Sequence, residues 1–195
     1  MKMKEVICWS GGADSTLLLY NHALNSSREN SVYAVSIEEH NGIATDLKLK
    51  SESVARKNIL KYMKAKGFHL KAIKIKYGAS DFPDSFNQPL CWLSCVGQVI
   101  PNDSNVHFGY TVEDRFWHIR KEFNDAFFTL MSLNTARSDR NVGLVYDFEW
   151  TEKKEILKNL KKLGLDKLIW TCERPKKVGV PCGKCDKCKE LKEAK

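Results

Sequence analysis

Val6-Ile7-Cys8-Trp9-Ser10-Gly11-Gly12-Ala13-Asp14-Ser15 is the stretch that decides the fold. Its first four residues form a short apolar run of strand type, and Ser10-Gly11-Gly12 breaks it. Ser15 to Leu24 follows with helical character, Leu17, Leu18, Leu19 and Ala23 facing inward. A strand that turns through glycines straight into a helix is the first unit of an open α/β sheet. In such sheets ligands bind beyond the carboxyl ends of the strands, where a helix N-terminus offers unpaired N–H groups and a positive dipole end. Two glycines let the backbone approach an anion, and the Ser10 and Ser15 hydroxyls add donors. A phosphate group suits this chemistry; an ordinary glycine turn with Asp14 or Ser15 as N-cap is the plainer alternative. The stretch is neither GxxxxGK[ST] nor GxGxxG, so readings built on those motifs lack their residues.

Outward from this unit, β-rich runs alternate with helix-period segments, which predicts a parallel sheet covered on both faces. Strands are expected at Val32–Ile37, Leu70–Ile75, Val106–Tyr110 and Val142–Val145. Helices are expected over Asp46–Lys66, with Gly67 as the stop, over Leu90–Val99, over Phe116–Leu133, and over Glu152–Leu163 between a Thr151 cap and Gly164. Tyr77–Pro89, with its Gly, Asp, Ser, Asn and Pro, reads as a loop. Lys71, Lys74 and Lys76 alternate with apolar residues, the pattern that keeps an edge strand soluble. The expected division is a nucleotide-binding α/β domain over 1–170 and a metal-binding segment over 171–195 packed on it.

The chain has 195 residues, 43% of them hydrophobic and 29% charged, enough apolar material for a packed core. No apolar run of about 18 residues occurs, and Met1-Lys2-Met3-Lys4-Glu5 leads directly into a strand. Neither a membrane span nor a secretory leader is expected, and the expected location is the cytoplasm. Net charge is +8, which favours an anionic substrate or a polyanion. Much of the excess sits on one helix (Lys153, Lys154, Lys158, Lys161, Lys162), so a solvated surface accounts for it and nucleic acid is not the favoured partner.

Seven cysteines cannot all pair, and four of them close the chain as Cys172-(x9)-Cys182-Gly183-Lys184-Cys185-Asp186-Lys187-Cys188. Two Cys-x-x-Cys steps sharing Cys185, plus Cys172 upstream, supply four soft ligands for a tetrahedral ion. A closed four-sulfur set leaves no open position, so Zn²⁺ here would be structural; an iron–sulfur cluster and redox use are the rival readings. Cys91-x3-Cys95 shares one helical face and could carry sulfur, although Trp92, Leu93 and Val96 make that helix look like core. Cys8, inside the first strand, reads as core. His40, just after the second strand, lies where such sheets accept a base, and a solvated loop histidine is equally consistent. Trp117 and His118 could stack on a purine, whereas a tryptophan on an amphipathic helix more often packs inward.

Ser10-Gly11-Gly12-Ala13-Asp14-Ser15 resembles the SGGxDS loop of the PP-loop ATP pyrophosphatases. Together with the terminal cysteine pattern it resembles the 7-cyano-7-deazaguanine (preQ0) synthases through nearly the whole chain. Gly109-Tyr110-Thr111-Val112-Glu113-Asp114 is similar to that family's G-x-x-x-x-D segment, Arg120 with Glu122-Phe123 to its R-x-E-F, and Lys153-Lys154-Glu155 to its K-x-E. Leu163-Gly164 and Thr171-Cys172 match its L-G and T-C steps. The family's P-G-R-N appears only as Gln88-Pro89-Leu90-Cys91, and its G-Y-P-D-C-R is replaced by Trp117-His118-Ile119-Arg120. The resemblance implies a Rossmann-like (adenine nucleotide alpha hydrolase-like) α/β fold with a four-cysteine zinc knuckle.

It also implies a ligase using ATP, Mg²⁺ and Zn²⁺, in which the carboxylate of 7-carboxy-7-deazaguanine is adenylated and ammonia displaces AMP to give an amide. A second adenylation then leads to the nitrile that feeds queuosine synthesis. By this resemblance Ser10, Gly11, Gly12, Ala13, Asp14, Ser15 and Ile37 would bind the nucleotide, and Lys153 would neutralise pyrophosphate. Asp14 or Asp114 would orient metal or substrate, and Glu113, Asp114 and Arg120 would meet the deazaguanine acid. Cys172, Cys182, Cys185 and Cys188 would hold zinc, and a homodimer is expected. The altered Arg115–Arg120 segment motivates one alternative, ligation of a deazaguanine to a macromolecular amine; a non-catalytic nucleotide-binding module is another class, against which the intact Ser10–Ser15 motif and Lys153 argue. A sulfur-transferring, tRNA-modifying enzyme is a further alternative, resting on Cys91 and Cys95.

Overall fold

A computed structural model describes residues 3–39, 46–77, 88–133 and 141–193. The elements run β1 (Lys4–Cys8), α1 (Ala13–Ala23), β2 (Val32–Glu39), α2 (Asp46–Ala65), β3 (Leu70–Tyr77), α3 (Gln88–Val99) and β4 (Ser104–Phe108). A 3-10 turn (Arg115–Ile119), α4 (Arg120–Leu133), β5 (Val142–Tyr146), α5 (Lys153–Lys162) and α6 (Asp186–Glu193) follow. The strands form one parallel sheet in the order β3-β2-β1-β4-β5.

The strands bury alternate residues on opposite faces, as a sheet sandwiched between helices requires. Ile7 and Trp9 meet Leu17 and Leu18 of α1, Ile59 of α2 and Ile156 and Leu160 of α5 on one side. Val6 and Cys8 meet Trp92 and Val96 of α3 and Phe123 and Phe127 of α4 on the other. Truncating a fully buried aliphatic such as Ile156 or Leu160 to alanine in such a layer costs about 2–5 kcal/mol. Strands β1 to β3 are laid down in one direction and β4 returns to the opposite side of β1, so the order reverses between β1 and β4. Ligands of open α/β sheets sit at such a switch point, outside the carboxyl ends.

The expected α/β architecture is the one observed, with informative shifts at element ends. The helix anticipated from Phe116 begins as the 3-10 turn and becomes α-helical at Arg120. Thr151 is not the cap of α5: Glu152 holds that position without a side-chain capping bond, and the Glu113 carboxylate accepts the Lys153 N–H at 3.1 Å instead. Thr151 is already engaged through its main chain, its N–H on Phe148 O and its carbonyl accepting Val112 N–H. Helix α6, within the cysteine segment, was not anticipated. β3 is an edge strand, as its alternating lysines suggested, and Lys74 reaches Glu38 at 3.2 Å. His40 and residues 78–87 of the expected loop lie outside the described residues. Among those described, no helix is long and apolar enough to cross a membrane.

Candidate active site and metal centre

The Ser10–Ser15 loop occupies the switch point. Ser15 Oγ accepts the Ser10 N–H at 3.2 Å and lies 3.0 Å from Ser10 Oγ, which in turn accepts the Gly12 N–H at 3.2 Å. These bonds close the loop on itself. The first helical bond of α1 runs from Thr16 N–H to Gly12 O, so the N–H groups of Ala13, Asp14 and Ser15 precede the helix ladder. Gly11 has φ +89°, and a Cβ there would lie 2.8 Å from Arg56 Cγ. At Gly109, after β4, a Cβ would come within 3.3 Å of the Asp14 carbonyl carbon, so the two strand-end loops touch where a side chain would separate them.

Distant elements hold the loop's outer wall. Arg56 of α2 donates to Ser10 O at 2.9 Å, and the Trp170 N–H donates to Gly11 O at 3.2 Å. Lys153, opening α5, binds Asp14 Oδ2, while Asp14 Oδ1 is buried with no hydrogen-bond partner among the described residues. Burial raises the Asp14 carboxyl above its ordinary range, and the Lys153 ammonium opposes this. A buried carboxylate oxygen lacking a donor, beside a helix N-terminus, suits a hard cation or a ligand N–H. Mg²⁺ fits here, with Asp14 as the residue that would hold it.

Ser10, Gly12, Ala13, Asp14, Ile37 and Lys153 line one cleft with Lys48, Arg56, Trp92, Trp170 and Lys187. Asp114 joins Asp14, Ser10 and Ser15 in an adjoining recess with Gly109 and Tyr110. The structure thus brings the loop, Ile37, Lys153 and Asp114 together. Asp114 Oδ2 accepts the Thr111 N–H at 2.6 Å and its hydroxyl at 3.0 Å, which orders the turn after β4. Glu113 is placed at the start of α5. Although burial works against it, the Lys153 N–H holds its carboxyl below the usual range. Arg120 does not line the cleft: it pairs with Glu149, its guanidinium 5.3 Å from the Trp117 ring and 5.1 Å from that of Tyr146. Trp117 donates to Thr111 O at 2.6 Å and packs into the β4 core, and His118 is exposed.

The four terminal cysteines converge, their sulfurs all within 4.8 Å of one another, with Cys182 and Cys188 at 3.9 Å. A tetrahedral ion with metal–sulfur bonds of about 2.3 Å separates its sulfurs by about 3.8 Å. A four-iron cube between the thiolates would need them farther apart. Cys182 N–H donates to Cys172 Sγ at 3.2 Å, and the Lys184 and Cys185 N–H groups donate to Cys182 Sγ at 3.4 and 3.3 Å. Those last two donors draw the Cys182 thiol down to about 6, whereas burial pushes Cys188 up to about 12. A single metal ion fits this set. Between Cys185 and Cys188, Lys187 lines the same cleft as the Ser10–Ser15 loop.

Sequence reading had missed Lys48, Arg56, Trp92, Trp170 and Lys187. Arg56 carried one available signal: a cation on the apolar stripe of α2, between Ala55 and Ile59, and it is 3% exposed. Cys91 and Cys95 are both buried in α3, and burial pushes Cys95 up to about 11.

The family model described as "Queuosine biosynthesis protein QueC" matches residues 101–194, from just before β4 through the four cysteines. No curated protein matches the chain. Among solved structures, the U34-tRNA thiolase NcsA from Methanococcus maripaludis with its [4Fe-4S] cluster aligns at 13% identity and a TM-score of 0.49. The alignment covers 99% of this chain and 64% of that one, so this chain spans about two thirds of that protein's length.

Proposed function

We propose that this QueC-like chain is an ATP pyrophosphatase that adenylates the carboxylate of 7-carboxy-7-deazaguanine and passes the acyl group to ammonia. The observation that carries the reading is Asp14, one oxygen on Lys153 and the other buried without a partner, at the head of the Ser10–Ser15 loop. A substrate carboxylate oxygen would attack the α-phosphorus of ATP, forming the P–O bond of an acyl adenylate as the bond to pyrophosphate breaks. The loop N–H groups, Lys153 and Lys187 are placed to take the charge developing on the departing pyrophosphate. Mg²⁺ at Asp14 would neutralise part of that charge.

Ammonia would then displace AMP, giving the amide and a proton. A second ATP would adenylate the amide oxygen, and loss of AMP and a proton would leave the nitrile. Orienting the acid against ATP is the larger part of such catalysis. The recess beside Asp114 is the place for the base, whose N1–H and 2-amino donors suit one carboxylate. Zinc on the four cysteines would fix Lys187 over the cleft without taking part in the chemistry.

A second acceptor, a macromolecular amine, rests on the altered Arg115–Arg120 segment, whose Arg120 pairs with Glu149 rather than lining the cleft. ATP:pyrophosphate exchange separates these readings from a non-catalytic module. Exchange dependent on 7-carboxy-7-deazaguanine, with ammonia-dependent release of AMP, is the expected result. Exchange with that acid but no response to ammonia would favour the macromolecular acceptor, and no exchange with it would remove both.

A further inference from the structure

Glu5, His22, His107 and Asp147 form a second polar cluster on the α1 and α5 side of the sheet, sharing no residue with the nucleotide-loop cleft. His107 is 4% exposed, in a strand interior where β-branched residues would ordinarily sit. Its Nδ1 lies 2.7 Å from Asp147 Oδ2 and its Nε2 2.5 Å from Glu5 Oε2. His22, near the end of α1, mirrors it: Nε2 is 2.9 Å from Asp147 Oδ1 and Nδ1 is 4.0 Å from Glu5 Oε2.

The arrangement has a direction. Asp147 takes the outer nitrogen of both imidazoles, and their inner nitrogens turn toward one carboxylate oxygen. The three inner atoms lie within 4.8 Å of one another. Histidine ligands of metals characteristically give their other N–H to a carboxylate, which fixes the ring and its tautomer.

We propose that Glu5, His22 and His107 bind a divalent transition-metal ion, with Zn²⁺ the best fit to two imidazoles and one carboxylate, and with Asp147 as the outer-shell residue that aligns both rings. Bonds of about 2.0–2.1 Å place tetrahedral ligand atoms about 3.3 Å apart. The Glu5–His107 contact must open by less than an ångström and the His22 side must close by a similar amount. Both adjustments are within side-chain rotation. The fourth position faces the recess bordered by Asn25, Asn30 and Asn105, open to water or an exchangeable ligand. The ion would join β1, α1, β4 and the turn after β5 at one point.

Cobalt distinguishes this site from the four cysteines, because thiolate ligation gives intense charge-transfer absorption and N/O ligation does not. The full chain, stripped of metal and titrated with Co²⁺, is expected to bind two equivalents, only one with the thiolate signature. His22→Gln, at a half-buried position, should abolish the second equivalent and leave the thiolate band and far-UV spectrum unchanged. Asp147→Asn should weaken that second site by about 10–100-fold. Saturation at one equivalent in the wild-type chain, or an unaltered second equivalent in both variants, would overturn the proposal and leave the cluster a proton-held network.

Discussion

Lys153 Nζ, in the first turn of α5, binds Asp14 Oδ2, in the first turn of α1, across a separation of 139 residues. The amino ends of two helices therefore face one carboxylate, and both carry partial positive charge. The same lysine gives its main-chain N–H to Glu113. Its side chain leans on the nucleotide loop while its backbone is anchored to the turn after β4.

Lys153→Met should lower the rate of pyrophosphate release by about 10²-fold, the scale of a lost electrostatic donor to the leaving group. Single-turnover measurement with ATP and Mg²⁺ checks this. The main-chain bond to Glu113 survives the change, so thermal stability should move by less than the rate does.

Asp14→Asn is expected to separate stability from activity. Burial raises the folded pKa of Asp14 above its unfolded value, so the fold favours the neutral acid. The stability this contributes is complete below the unfolded value of about 4 and is lost as pH rises through the folded value. Asparagine has no such loss. The variant should melt at or above the wild-type temperature near about pH 8, with the gap narrowing towards about pH 4, while pyrophosphate release fails. A wild-type protein that melts higher across that whole range would refute the assignment.

The hydroxyls of Ser10 and Ser15 lie 3.0 Å apart and brace the same loop. Ser10→Ala and Ser15→Ala should each cost on the order of 10²-fold in pyrophosphate release. The double variant should lose less than the product of the two, since coupled residues are not additive. Equal rates in wild type and both single variants would remove the loop from the chemistry.

Cys185→Ser should lose the bound metal, lower the melting temperature and weaken ATP binding together. Lys187→Met should keep the metal and the melting temperature and weaken ATP binding alone. Elemental analysis, a melting curve and nucleotide calorimetry on the two proteins test whether the knuckle acts on the cleft through Lys187. An iron–sulfur cluster in place of one ion would contradict the single-ion geometry of sulfurs within 4.8 Å.

What the sequence made legible were features whose partners are close along the chain. Ser10 to Ser15 fold back on one another, and Cys182, Cys185 and Cys188 sit on one short turn and helix, so spacing alone announces them. The succession of apolar strand-type runs and helix-period segments likewise revealed a sheet covered on both faces. Lys187 hid as a spacer between two cysteines, because only tertiary packing turns it toward Asp14. Glu113 and Arg120 carried family-like positions, yet the N-terminus of α5 and Glu149 claim them, and neither claim leaves a mark in local pattern. Glu5 and His107 are single polar residues in apolar strands, joined by the register of β1 against β4, which no one-dimensional period encodes.

The bond from the Trp170 N–H to Gly11 O has a bearing on how the protein is made. Synthesis runs from the amino end, so the glycine loop leaves the ribosome before every residue that walls it. Its wall is delivered in instalments: Arg56 with the second helix, Lys153 with the fifth, Trp170 and Lys187 after that. A nascent chain stopped before Trp170 would carry the whole Ser10–Ser15 motif without Trp170 and Lys187. Closure of the glycine loop therefore waits for residues made long after it, and of this group the motif that emerges first is the last to be completed.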